Sequence, residues 1–191
     1  MRAIAYMLFL SLKYIQGDYL YLQAGWPSFK EFHSEEGNEY LKTSCTMTPT
    51  NYCPPESIEI LQEITEDSGI TLDYAIREYY GWDSIGSVER RNADVPFCAS
   101  GDNYDEGTNI LGIIRRGMKL EVSGCPVPSQ KNEVRKGKFW SGRTYVSMGL
   151  YNCKDFIVEF TFKQSGQIIG SGWIVMYNEG TSCPNYRDVS W

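Results

Sequence analysis

The chain has 191 residues, with 24 acidic side chains against 18 basic ones and a net charge of −6. That balance argues against non-specific DNA binding, which rests on cationic contacts to phosphate. It also leaves length enough for one domain with its own core.

Met1 and Arg2 form a short positive start, residues 3–12 form an apolar run, and Lys13 closes it. The run matches the core of a signal peptide and is too short to span a bilayer. Ile15 and Gly17 occupy the −3 and −1 positions of a cut before Asp18, so residues 1–17 are expected to be a signal peptide. Residues 18–191 are then expected to form a single secreted α+β domain. Losing Arg2 and Lys13 would take its net charge from −6 to −8. No Asn-x-Ser/Thr sequence occurs, so no N-glycan is expected. The six cysteines, Cys45, Cys53, Cys98, Cys125, Cys153 and Cys183, all follow this leader. An even count in an oxidising compartment reads as a disulfide framework.

Residues 18–22 alternate as a first strand would, and residues 25–55 read as irregular, with four prolines and the first two cysteines. Ile58, Leu61 and Ile64 recur at a spacing of three, with Pro55 placed for a first helical turn and Gly69 for a C-cap. Thr71 offers an N-cap to a second stripe of Leu72, Ala75, Ile76 and Tyr79, ended by Gly81. The spacing therefore predicts a short αα-hairpin over 56–81. The apolar run 110–115 and the alternation of Met118, Leu120 and Val122 predict strands joined by a turn at Arg116-Gly117, and residues 139–148 predict another. The plainest element is 156–163. Phe156, Val158, Phe160 and Phe162 face one way, and Ile157, Glu159, Thr161 and Lys163 the other. Ser165-Gly166 makes the turn, and 168–177 returns with Gly170 and Gly172 marking a bulge or a close backbone approach. The expected fold class is α+β: the αα-hairpin followed by an antiparallel β-sheet or small β-sandwich, disulfide-braced. Neighbour pairing of the cysteines as 45–53, 98–125 and 153–183 is preferred, because the last two would brace hairpins.

The candidate binding stretch is 131–145. Lys131, Arg135, Lys136, Lys138 and Arg143 lie among Phe139, Trp140 and Tyr145, a local reversal of sign in an acidic chain. Cations beside aromatic faces suit an anionic glycan or an acidic patch on a protein. A weak calcium candidate is the Gly-punctuated loop carrying Asp102, Asn103, Asp105 and Glu106, since hard cations take several oxygen ligands. Its spacing is not that of an EF-hand, and a solvated turn is the plainer reading. The one histidine, His33, is read as an exposed loop residue among carboxylates, and no Gly-x-Ser-x-Gly elbow accompanies it. Zinc and nucleotide-phosphate motifs are missing, and no cofactor is expected. Glu121 and Glu159 sit beside apolar strand residues but on the outward face.

The leading expectation is a non-catalytic secreted recognition domain for an extracellular protein or anionic glycan. The rivals are a small hydrolase with paired carboxylates, with or without structural calcium, and an apolar-ligand carrier lined by the Phe156–Phe162 face.

Overall fold

The computed structural model describes residues 21–22, 26–48, 52–80, 85–100, 105–120, 124–134, 144–145 and 155–177. Within them the dominant unit is a five-stranded antiparallel sheet. Its strands are β2 (Trp26–Ser34), β10 (Gln167–Tyr177), β9 (Asp155–Gln164), β5 (Ile70–Tyr79) and β6 (Ile85–Pro96), hydrogen-bonded in that spatial order. A second antiparallel sheet joins β3 (Leu41–Cys45), β4 (Pro55–Ile60) and β7 (Gln130–Glu133). The two-residue strands β1 (Tyr21–Leu22) and β8 (Thr144–Tyr145) pair with each other. One helix, α1 (Glu106–Gly117), lies between β6 and β7 in the sequence.

The hairpin of β9 and β10 follows from local chemistry. Ser165 and Gly166 both take positive φ, 50° and 81°, the twist a two-residue hairpin turn requires. Phe156, Val158, Phe160 and Phe162 all enter the core. Opposite Phe160 and Phe162 stand Gly172 and Gly170; the ring of Phe32 from β2 lies against Gly170, and the Glu31–Phe32 backbone against Gly172. A Cβ on Gly172 would lie 2.3 Å from the Glu31 carbonyl oxygen. The register of β10 shifts between Ile168 and Gly170, so this strand holds both the bulge and the close approach that its glycines signal. Phe32 and Phe160 meet edge-on at 5.2 Å between centroids, Phe160 and Phe162 at 5.6 Å, and Phe97 and Phe162 at 5.4 Å. Edge-to-face rings add to the burial of apolar area.

The expected αα-hairpin is absent, and the fold is mostly antiparallel β rather than α+β. Residues 55–60 form β4, in which Ile58 and Ile60 are buried and alternate with Ser57 and Glu59. The helical stripe at 58, 61 and 64 competed with this two-residue alternation, and β-branched isoleucines favour the strand. Only a single 3₁₀ turn, Glu66–Ser68, follows; Gly69 caps it at φ 61°. Residues 70–79 are β5, whose burial alternates at every position. Ile70, Leu72, Tyr74 and Ile76 carry the same signal as the helical reading's Leu72 and Ile76. Pairing on both sides, to β9 and β6, decides between them.

The opposite correction applies to 110–115, which is helical. Asp105 caps α1 by accepting from the Thr108 backbone N–H at 2.9 Å. Glu106 in the first turn and Arg115 and Arg116 in the last complement the helix dipole. Ile110, Leu111, Ile113 and Ile114 are fully buried, so the apolar run is the inner side of a helix whose outer side is narrow. The expected turn at Arg116-Gly117 is the helix terminus, and Met118 and Leu120 are buried just beyond it. One core cluster joins α1, both larger sheets and Ile64, Val127 and Val134. Cys45 is bonded to Cys53 and Cys98 to Cys125, with Cα separations of 5.3 and 5.1 Å. The second bridge spans α1 rather than bracing a hairpin. Cys153 and Cys183 lie outside the described residues, as does the proposed leader. Among the described residues no helix is long and apolar enough to cross a membrane.

Candidate functional site

On the face of the five-stranded sheet turned away from this core, Ile157 and Val175 are buried at one end, and beyond them stands an ordered array of polar and aromatic side chains. Antiparallel register sets it out in rows. Glu31 on β2 stands opposite Trp173 on β10, Trp173 opposite Glu159 on β9, Glu159 opposite Ala75 on β5, and Ala75 opposite Arg91 on β6. The neighbouring row runs His33, Ser171, Thr161 and Asp73.

Trp173 is the centre of the first row. Its indole N–H donates to Glu31 Oε2 at 2.8 Å. The other carboxylate oxygen, Oε1, lies 2.7 Å from His33 Nε2. Tyr52 sets its ring against the indole at 5.5 Å and 74°. That tyrosine is held from two directions. Its neighbour Cys53 is bonded to Cys45, and its backbone N–H and carbonyl both engage the Thr48 hydroxyl, at 3.1 and 3.0 Å. A short disulfide loop thus brings an aromatic ring onto a sheet strand more than a hundred residues away in sequence.

Two ion pairs continue the array. Arg77 Nε donates to Glu159 Oε2 at 2.9 Å, and Lys163 pairs with Asp73. Asp73 also accepts the Asp94 backbone N–H at 3.0 Å, where Asp94 takes φ 57°. Between these groups a shallow groove of about 480 Å³ is lined by Asp73, Arg91, Asn92, Glu159 and Thr161.

Burial pushes the Glu31 carboxyl up, but hydrogen bonds from His33 and Trp173, with the charge of His33, outweigh it and hold the group below the usual carboxylate range. Asp73 behaves alike: burial raises it, and Lys163 with the Asp94 N–H lowers it further than burial lifts it. The Asp73 carboxylate in turn raises Lys163. Glu31 and Glu159 flank Trp173 across two strand spacings, so their Cα atoms stand ~10 Å apart. Glu31, held ionised, is suited to accept hydrogen bonds and poorly suited to deliver a proton.

The other predicted residues fall elsewhere. Lys131 is exposed on β7, opposite Glu59. Tyr145 is in β8, opposite Tyr21. Arg135, Lys136, Lys138, Phe139, Trp140 and Arg143 lie outside the described residues, as do Asp102, Asn103 and Glu121. Asp105 is occupied as the cap of α1, and Glu106 Oε1 accepts the Tyr74 hydroxyl at 2.9 Å. Burial, with the nearby Glu106 and Asp105, pushes the Tyr74 phenol up despite the Asn92 hydrogen bond. Among the described residues no three His, Cys, Asp or Glu side chains are grouped to share a metal ion. His33 is exposed among carboxylates, but on a strand rather than a loop.

Trp173, Glu31, Tyr52, Arg77 and Asp73 were not legible as a site. One signal was present: read as a strand, residues 70–79 put Asp73 and Arg77 outward, complementary in sign to Lys163 and Glu159. No protein-family model matches this chain, and no curated protein matches it.

Proposed function

We propose that this chain is a secreted, disulfide-braced recognition domain that binds an extracellular protein through the open face centred on Trp173. The observation that carries the reading is the fixed indole: half-buried, hydrogen-bonded to Glu31 and buttressed by Tyr52. A pre-positioned tryptophan amid arginine and carboxylates has the make-up of an interface anchor, because little side-chain freedom remains to be lost on binding. The two disulfides support an oxidising compartment. The face carries Glu31, Asp73 and Glu159 beside Arg77, Arg91 and Lys163, a mixture suited to a protein of mixed charge rather than to an anionic glycan. The hydrolase reading has less support, because Glu31 is held ionised and the groove is shallow. The carrier reading loses its cavity to the packed rings of Phe160 and Phe162.

The test is a screen of the tetramerised chain against arrayed extracellular proteins, followed by titration of Trp173→Ala and Arg77→Glu. Affinity at least about tenfold weaker in both variants is the expected result. A partner indifferent to both, but lost with Arg135→Glu and Lys138→Glu together, would move the binding surface to the 131–145 stretch.

A further inference from the structure

Arg115 is the one described arginine closed off in the core, with 4% of its surface exposed. It projects from the last turn of α1. Its Nη2 donates to the Phe97 carbonyl, its guanidinium carbon lies 4.6 Å from the Phe97 ring centroid, and its Nε has no hydrogen-bond partner. No carboxylate among the described residues pairs with it. Burial draws its pKa down to about 10, which leaves it charged at neutral pH. A buried cation is costly unless its charge is met by a partner. The remaining neighbour of Nη2 is Cys125 Sγ, at 4.0 Å.

Cys125 is bonded to Cys98. As a disulfide sulfur it is neutral and a weak acceptor; as a thiolate it would be an anion within reach of the guanidinium. Both cysteines are half-buried. Cys98 forms part of the wall of an open cleft of about 290 Å³ with Thr65, Glu66, Thr71 and Pro96, and Cys125 does not line that cleft.

We propose that Cys98–Cys125 is a thiol-exchange site of fixed polarity, in which an incoming thiolate attacks Cys98 Sγ from the cleft and Cys125 departs as a thiolate beside Arg115. A new bond joins the external sulfur to Cys98, the Cys98–Cys125 bond breaks, and its electron pair stays on Cys125. A second external thiolate then attacks the external sulfur of the mixed disulfide, releasing a small-molecule disulfide and the Cys98 thiolate. The external thiols are oxidised and the bridge is reduced by the same two electrons. A leaving thiol of lowered pKa departs faster, so the guanidinium sets both the direction and the rate. The bridge spans 27 residues of sequence that include all of α1, so its opening removes the covalent tie between the end of β6 and the segment after the helix.

The test treats the folded full chain with reduced glutathione, traps thiols with iodoacetamide and maps the peptides by mass. Glutathione on Cys98 and alkylation on Cys125, ahead of any opening of Cys45–Cys53, is the expected outcome. Arg115→Met is expected to slow that step about tenfold and Arg115→Lys to restore most of it. Glutathione found on Cys125, earlier opening of Cys45–Cys53, or an unchanged rate in Arg115→Met would each overturn the proposal. Should Arg115→Met not fold, Cys98→Ser leaves Cys125 as a thiol beside the native arginine. A midpoint for its alkylation below the ordinary value of about 8.5 supports the proposal, and one at or above it overturns the proposal.

Discussion

Trp173 donates its indole N–H to Glu31 across the β10–β2 pair, and the same carboxylate meets His33 with its other oxygen. One glutamate therefore fixes both the indole of Trp173 and the chain's only histidine. Because these bonds hold Glu31 below its ordinary pKa, they favour its ionised form in the folded state. A carboxyl lowered on folding contributes stability that is present above its unfolded pKa and lost as pH falls through the folded value. Asp73 has the same sign. Thermal stability is therefore expected to fall as pH drops below the ordinary carboxylate range of about 4. The double variant Glu31→Gln, Asp73→Asn should show a smaller loss of Tm between neutral and acidic pH, read by circular dichroism. An equal or larger loss would mean that these two groups do not carry the acid dependence.

Gly172 permits the approach of β10 to β2. A methyl group there would sit 2.3 Å from the Glu31 carbonyl oxygen and 2.8 Å from Phe32 Cα, both backbone atoms that cannot step aside. Gly172→Ala is expected to destabilise the fold by about 3 kcal/mol through forced backbone shifts. Gly166→Ala meets nothing within 4 Å and carries only the strain of φ 81°, about 1 kcal/mol. Urea unfolding of both variants checks the order; similar midpoints would show that strands β2 and β10 can separate cheaply.

The helix was hidden in the sequence by its own burial. Ile110, Leu111, Ile113 and Ile114 leave so narrow a polar side that the run reads as a strand, whereas the Asp105 to Thr108 cap was a legible start signal in a stretch read instead as a solvated turn with a weak calcium candidate. Asp105→Ala should cost about 1 kcal/mol of stability, the ordinary worth of such a cap. If calcium raises the Tm of the parent chain and not of Asp105→Ala, the carboxylate has a ligand role beyond capping.

The β9–β10 hairpin was legible because each level of evidence agreed: alternating phenylalanines, a turn pair with positive φ and glycines where backbones meet. Strand β5 was not, because Leu72 and Ile76 satisfy a period of 3.6 as well as a period of two, and only its partners β6 and β9 decide between them. The open face was illegible for the same reason. Its residues come from strands far apart in sequence and meet only through register.

Tyr52 ties the first disulfide to that face, which gives the bridge a second role beyond stability. Cys45 and Cys53 are separated by 8 positions, and opening so short a loop should cost about 2 kcal/mol. The larger consequence should be local. Without the bridge, the Tyr52 backbone keeps its hydrogen bonds to Thr48 but loses the covalent tie at its neighbour, and the ring contact with Trp173 at 5.5 Å should loosen. In the double variant Cys45→Ser, Cys53→Ser, the indole N–H resonance of Trp173 is expected to shift and broaden. Trp173→Phe identifies that resonance by its disappearance. Binding of a partner to the open face should weaken more than the stability loss explains, since the folded fraction stays near unity after a loss of about 2 kcal/mol from a typical domain. An unshifted resonance with unchanged affinity would show that Glu31 positions Trp173 without help from Tyr52.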